Sequence, residues 1–195
     1  APRSCRRSSR PAGPTWDTDR PMIRVAETIE QSGRRIGQHA WIEMRLFEAI
    51  GAWVTSVPEL EVKAVLAAQS HHHAWHAELW HGLLPGLRHL PAADLVAPAD
   101  ADAEVIASLD DLAEHDLGPG ADRTGARLVA LYRVALPHLI AGYADHLARA
   151  TVVTDGPTIR ALRLALADVE HDRQTGDDLI GSLVAVPPDG EPTAR

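Results

Sequence analysis

Cysteine is almost absent. The single Cys5 in 195 residues lies in an Arg-, Ser- and Pro-rich opening stretch, so no disulfide framework can hold this fold. Lysine is nearly missing too, with Lys63 alone against 18 arginines. Together with abundant Ala, Asp and Leu, this bias reads as codon usage, so arginine richness here is no binding signal. Positive charge is in deficit overall: the net charge of −8 argues against a nucleic-acid surface. No apolar run approaches the ~18 residues of a membrane span. Strand patterns, phosphate loops, dinucleotide fingerprints and a Ser-His-Asp order are likewise lacking. A cytoplasmic protein with neither nucleic-acid nor membrane partners is expected.

The sequence is instead rich in histidine. Five of its eleven histidines fall in Ser70-His71-His72-His73-Ala74-Trp75-His76-Ala77-Glu78-Leu79-Trp80-His81, a stretch free of glycine and proline. Helical periodicity puts Gln69, His73, His76 and Trp80 on one stripe. Two imidazoles one turn apart on an inward face can hold a metal ion between them.

Around this stretch the pattern is all-α in one domain. Residues 1–20 hold few aliphatic side chains and are expected to be disordered, as are 186–195; the opening Ala1 reads as a trimmed or non-native start. The helical part is expected over 21–185. A first helix runs from about Pro21 to Ser56 and stops before Pro58. A second runs from about Pro58 to Leu84. A connection over 84–120 carries one short helix near Ala99 to His115. A third helix runs from about Asp122 to Ala150, disturbed by Pro137, on the stripe Leu128, Leu131, Ala135, His138, Gly142, Asp145, Arg149. A fourth extends to about Val184 on the stripe Ala161, Leu164, Asp168, His171, Thr175, Leu179. Two antiparallel hairpins joined by a long crossover make a four-helix bundle.

Register brings the polar residues together. Glu43 lies 15 residues before Pro58 and His73 lies 15 after it, so they face each other roughly 22 Å from the turn. His138 and His171 are nearly level about their own turn at Asp155. Glu43, His73, His76, His138, Asp168 and His171 are therefore expected to converge as metal ligands. His39, His72 and Asp145 stand beside these stripes, as alternative ligands or as groups that orient one. Tyr143 or an unused histidine is a candidate proton relay. The bland reading of each residue is a satisfied core polar group or a solvated helix face.

This arrangement resembles the ferritin-like superfamily of carboxylate-bridged two-metal proteins. His76-Ala77-Glu78-Leu79 is similar to the His-Ala-Glu-Leu of their second helices, Asp168-x-x-His171 to their fourth-helix Glu-x-x-His, and Glu43 to their first-helix Glu. His73 and His138 stand where the superfamily has carboxylates. The resemblance implies a ferritin-like fold and bound metal, iron first, with zinc or copper as alternatives because the ligand set is histidine-rich. It also implies an oxidoreductase acting on a small organic substrate with O₂ or peroxide. Aromatic-rich bundles of this kind pair, so a homodimer is expected. Rival expectations are a non-catalytic metal-binding or assembly protein, a single-metal bundle resembling DinB-type thiol transferases, and a metal-free relic with a hydrogen-bonded polar core.

Overall fold

The first helix begins where Thr28 stops the chain from entering it earlier. In the computed structural model, which describes residues 27–114 and 121–185, Thr28 is extended and its side chain accepts from the Gln31 backbone N–H. The Gln31 side chain in turn accepts from the Thr28 N–H, completing a capping box. Helix α1 thus spans Ile29–Ser56 and not Pro21 onward. It ends as expected at extended Val57, before Pro58.

Helix α2 spans Leu60–His81 and lies along α1 for most of its length. Its inward face carries Val62, Leu66, Ala77 and Trp80, but also Gln69, Ser70, His73 and His76. The connection that follows holds two helices where one was expected, the short turn α3 (Ala92–Leu95) and α4 (Asp100–Glu114). Gly37 lets α3 approach α1: a Cβ there would sit 1.9 Å from the Leu95 carbonyl oxygen.

The third expected helix is broken into α5 (Ala121–Ala130), a π-helical turn (Leu131–Ala135) and α6 (Leu136–Arg149). Pro137 has no N–H to give to the preceding turn, and the chain answers by widening it. Helix α7 (Gly156–Ala185) returns along α6 and also touches α2. The described helices other than α3 share one core, with Leu46, Ile50, Trp53, Leu66, Leu128, Leu131, Leu162, Ala165 and Val169 within it. Burial of each large side chain contributes about 1.5–3 kcal/mol. Among the described residues there is no strand beyond one isolated bridge, Leu87 with Leu90, and no helix is long and apolar enough to cross a membrane. The residues expected as tails, 1–20 and 186–195, lie outside the described part, as do 21–26.

Candidate metal centre

A carboxylate with no solvent exposure must find partners or lose its charge. Glu43, in the middle of α1, is such a group, with 0% exposure. Its Oε2 meets Nδ1 of His73 and its Oε1 accepts the Tyr143 hydroxyl proton, both through short hydrogen bonds. Tyr143 in turn accepts from Trp80 Nε1 at 3.0 Å. His76, one turn beyond His73, brings Nδ1 to 3.2 Å from Glu43 Oε1, but at an angle that makes no hydrogen bond. Its Nε2 reaches Asp168 Oδ2 of α7 at 3.2 Å. Three helices thus place Glu43, His73, His76 and Tyr143 in one buried cluster, and Asp168, half-exposed, closes it on the solvent side.

The electrostatics follow from this packing. Burial alone would raise the pKa of Glu43, but the facing His73 and then His76 outweigh it and hold the carboxyl below its usual range. Burial would likewise disfavour the imidazolium of His76, yet Glu43 and then Asp168 outweigh it and raise His76 above its ordinary value. Burial first, then the adjacent Glu43, pushes Tyr143 well above 10, so it stays a hydroxyl donor.

Two ring nitrogens, His73 Nε2 and His76 Nδ1, are buried without a hydrogen-bond partner. Orphaned buried nitrogens are rare, and a neutral imidazole nitrogen without a proton is a metal ligand. Glu43, His73 and His76 each offer one ligand atom, and these atoms lie within 4.8 Å of one another. One ion with bonds of ~2.0–2.2 Å fits among them after small side-chain adjustment. The donor set, two imidazoles and one carboxylate, is one that iron and zinc both accept.

Of the other expected ligands, Asp168 reaches the cluster only through His76 Nε2, and the rest lie elsewhere. His138 Nε2 bonds Asp102 Oδ1 of α4 at 2.7 Å. His171 is exposed, and among the described residues its side chain has no hydrogen-bond or ion-pair partner. Asp145 is exposed and paired with Arg35 and Arg149. His39 is buried one turn before Glu43, where its Nε2 bonds His146 Nδ1 at 2.9 Å and its ring touches Trp80 and Tyr143. His72 Nδ1 bonds the buried Asp172 Oδ2 at 2.9 Å. A second polar chain runs beside the cluster: Tyr132 donates to Gln69 at 2.6 Å, and Gln69 donates to the Asp172 carbonyl at 3.2 Å.

The displacement on the third stripe has one cause. Its inward residues are Leu128, Leu131 and Ala135, as expected, together with Tyr132, Leu136, Leu139, Tyr143 and His146. The π turn inserts one residue into the helical phase, so every later inward position moves on by one. Leu139 replaces His138, Tyr143 replaces Gly142, and His146 replaces Asp145. On α7 Ala161 is buried as expected, but the inward stripe then runs one residue later, Leu162, Ala165, Val169 and Asp172, because the apolar members outcompete Leu164, Asp168 and His171 for the core. Asp102 and Asp172 were not anticipated. Asp172 was readable from the apolar run 162, 165, 169 that precedes it; Asp102 had no such signal.

The chain matches no protein-family model, and no curated protein is similar enough in sequence to count as a relative.

Proposed function

We propose that this chain is a metalloprotein of ferritin-like architecture in which Glu43, His73 and His76 hold a single metal ion, and that it works as an oxidoreductase on a small organic substrate. The observation that carries the reading is the cluster itself: Glu43, His73 and His76 are all buried, each offers a ligand atom within 4.8 Å of the others, and one nitrogen of each imidazole makes no hydrogen bond. Three gathered ligands with a formal charge of −1 favour one ion over a carboxylate-bridged pair. Two imidazoles and a carboxylate leave further coordination positions open, and bound iron would supply O₂ chemistry there. The chain's own residues would do the rest. Tyr143 fixes Glu43 from behind and Trp80 fixes Tyr143. Asp168 holds Nε2 of His76 and connects the cluster to solvent. The apolar residues around Glu43 exclude water and so strengthen each of these contacts.

A second reading is favoured by one observation: both Glu43 oxygens already have partners, as in a metal-free polar core. Metal analysis of protein purified without a histidine-affinity step separates the two. About one ion per chain is expected in the wild type and in a His138→Ala/His171→Ala variant, and none in His73→Ala/His76→Ala. No ion in the folded wild type overturns the proposal, and retention in the His73/His76 variant moves the site elsewhere.

A further inference from the structure

A cleft of about 220 Å³ opens between α2 and α7, next to the solvent side of the Glu43 cluster. Its walls are Trp75 and Leu79 from α2, Leu83 just past the end of α2, and Ala161 and Leu164 from α7, with Arg160 also lining it. Two features tie it to the cluster. Trp75 precedes His76 in the chain and their ring centroids are 5.5 Å apart. Leu164 lies one turn before Asp168, the residue that closes the cluster.

Two further features define what fits the cleft. Trp75 and Leu164 remain 45% and 40% exposed, so apolar surface that the fold would gain by covering is left open inside a concavity. Among the described residues, the Arg160 side chain has neither an ion pair nor a hydrogen bond, although this chain carries an excess of carboxylates that elsewhere pair with Arg34, Arg35, Arg45, Arg133, Arg149 and Arg173. An apolar trough with one uncommitted guanidinium is complementary to a molecule with an apolar body and one carboxylate. The volume lies below the ~300–1,000 Å³ typical of sites for drug-sized ligands, so the ligand is small.

We propose that the α2–α7 cleft binds a small amphipathic carboxylic acid, an aryl-alkyl or short acyl acid, with its apolar part against Trp75 and Leu164 and its carboxylate on Arg160. That this ligand is the substrate rests on the metal-centre reading above; that it binds does not.

The test is calorimetric titration of chelator-treated protein with 4-phenylbutyrate, with the uncharged alcohol 4-phenylbutanol as control. The acid should bind, and the alcohol about fivefold more weakly, the worth of one partly solvated ion pair. Arg160→Gln should bring the acid down to the alcohol and leave the alcohol unchanged. Leu164→Glu, at an exposed position that leaves the core intact, should abolish both. Equal binding of acid and alcohol by the wild type overturns the carboxylate assignment. No binding of either, or binding that survives Leu164→Glu, overturns the cleft. Because metal is absent throughout, none of these outcomes bears on the metal centre, which metal content alone decides.

Discussion

Tyr143 donates its hydroxyl proton to Glu43, 100 residues earlier in the chain. The bond ties α6 to α1 at the level where His73 and His76 arrive from α2. Removing either partner leaves buried polar groups behind. Tyr143→Phe strips one acceptor from the Trp80 N–H and one donor from Glu43, and is expected to cost about 1–3 kcal/mol. Glu43→Ala leaves Tyr143 and both imidazoles without their carboxylate and should cost about 3–5 kcal/mol. Urea unfolding of the two single variants and the double variant gives the coupling. The double variant should cost clearly less than the sum, and strict additivity would show that the two groups do not interact.

A bound ion changes that balance, because it binds the folded site and not the unfolded chain. At a free metal concentration a hundredfold above the dissociation constant it adds about 2.7 kcal/mol of stability. Chelator should therefore lower the melting temperature of the wild type and leave that of His73→Ala/His76→Ala where it was. A wild-type melting curve indifferent to chelator, in protein shown to carry metal, would place that metal outside the cluster.

The π turn is held from the opposite side by Gly176. A Cβ there would fall 2.1 Å from Tyr132 Cδ1, within the ring's own volume. Gly176→Ala must displace the buried Tyr132 and with it the bond to Gln69. Overpacking of this kind costs about 1–3 kcal/mol. Gly125→Ala, with open space around the glycine, should be neutral or slightly stabilising through helix propensity. If the two variants melt alike, the close packing of Tyr132 on α7 is not what holds the turn.

How much of this was legible in the sequence follows from the helical phase. Glu43, His73 and His76 were readable because α1 and α2 are uninterrupted and are joined by a short turn, so counting residues from Pro58 preserves both depth and face. An all-helical chain with its breaks near Pro58 and Thr154–Pro157 was readable for the same reason. Counting failed after Ala135, beyond which the extra residue of the π turn rotated everything that followed. His138 and Asp145 left the inward face, and Tyr143 and His146 entered it. Pro137 announced a disturbance there, but a proline does not say whether the chain will bend or widen. On α7 the error was one of weighting: Asp168 and His171 form a motif, whereas Leu162, Ala165 and Val169 bury more apolar surface, and burial decides.

His39 and His146 make the fold acid-sensitive in a defined window. Burial first, then the neighbouring His146, holds His39 at about 3; burial first, then Arg35, holds His146 at about 4. Both lie below the ordinary 6.5, so as pH falls below 6.5 the unfolded chain takes up protons that the folded chain refuses, and stability drops. The limit is about 1.4 kcal/mol per pH unit for each group, less for the partly exposed His146. Other groups in the cluster act outside this range. His76, raised above 6.5, contributes stability that is complete below 6.5 and lost only as pH rises through its folded value. Glu43, depressed below 4.5, contributes stability that is lost only below 4.5. Between pH 6.5 and 4.5 the His39–His146 pair therefore dominates among these groups. His39→Leu/His146→Leu removes both hydrogen-bonding partners together, so no polar atom of the pair is left orphaned. Melting temperature measured across that interval should fall steeply for the wild type and much less for the double variant. Parallel slopes would mean that these two histidines take up protons in the folded protein as readily as in the unfolded chain, and that their 2.9 Å contact is not the neutral hydrogen bond that burial demands.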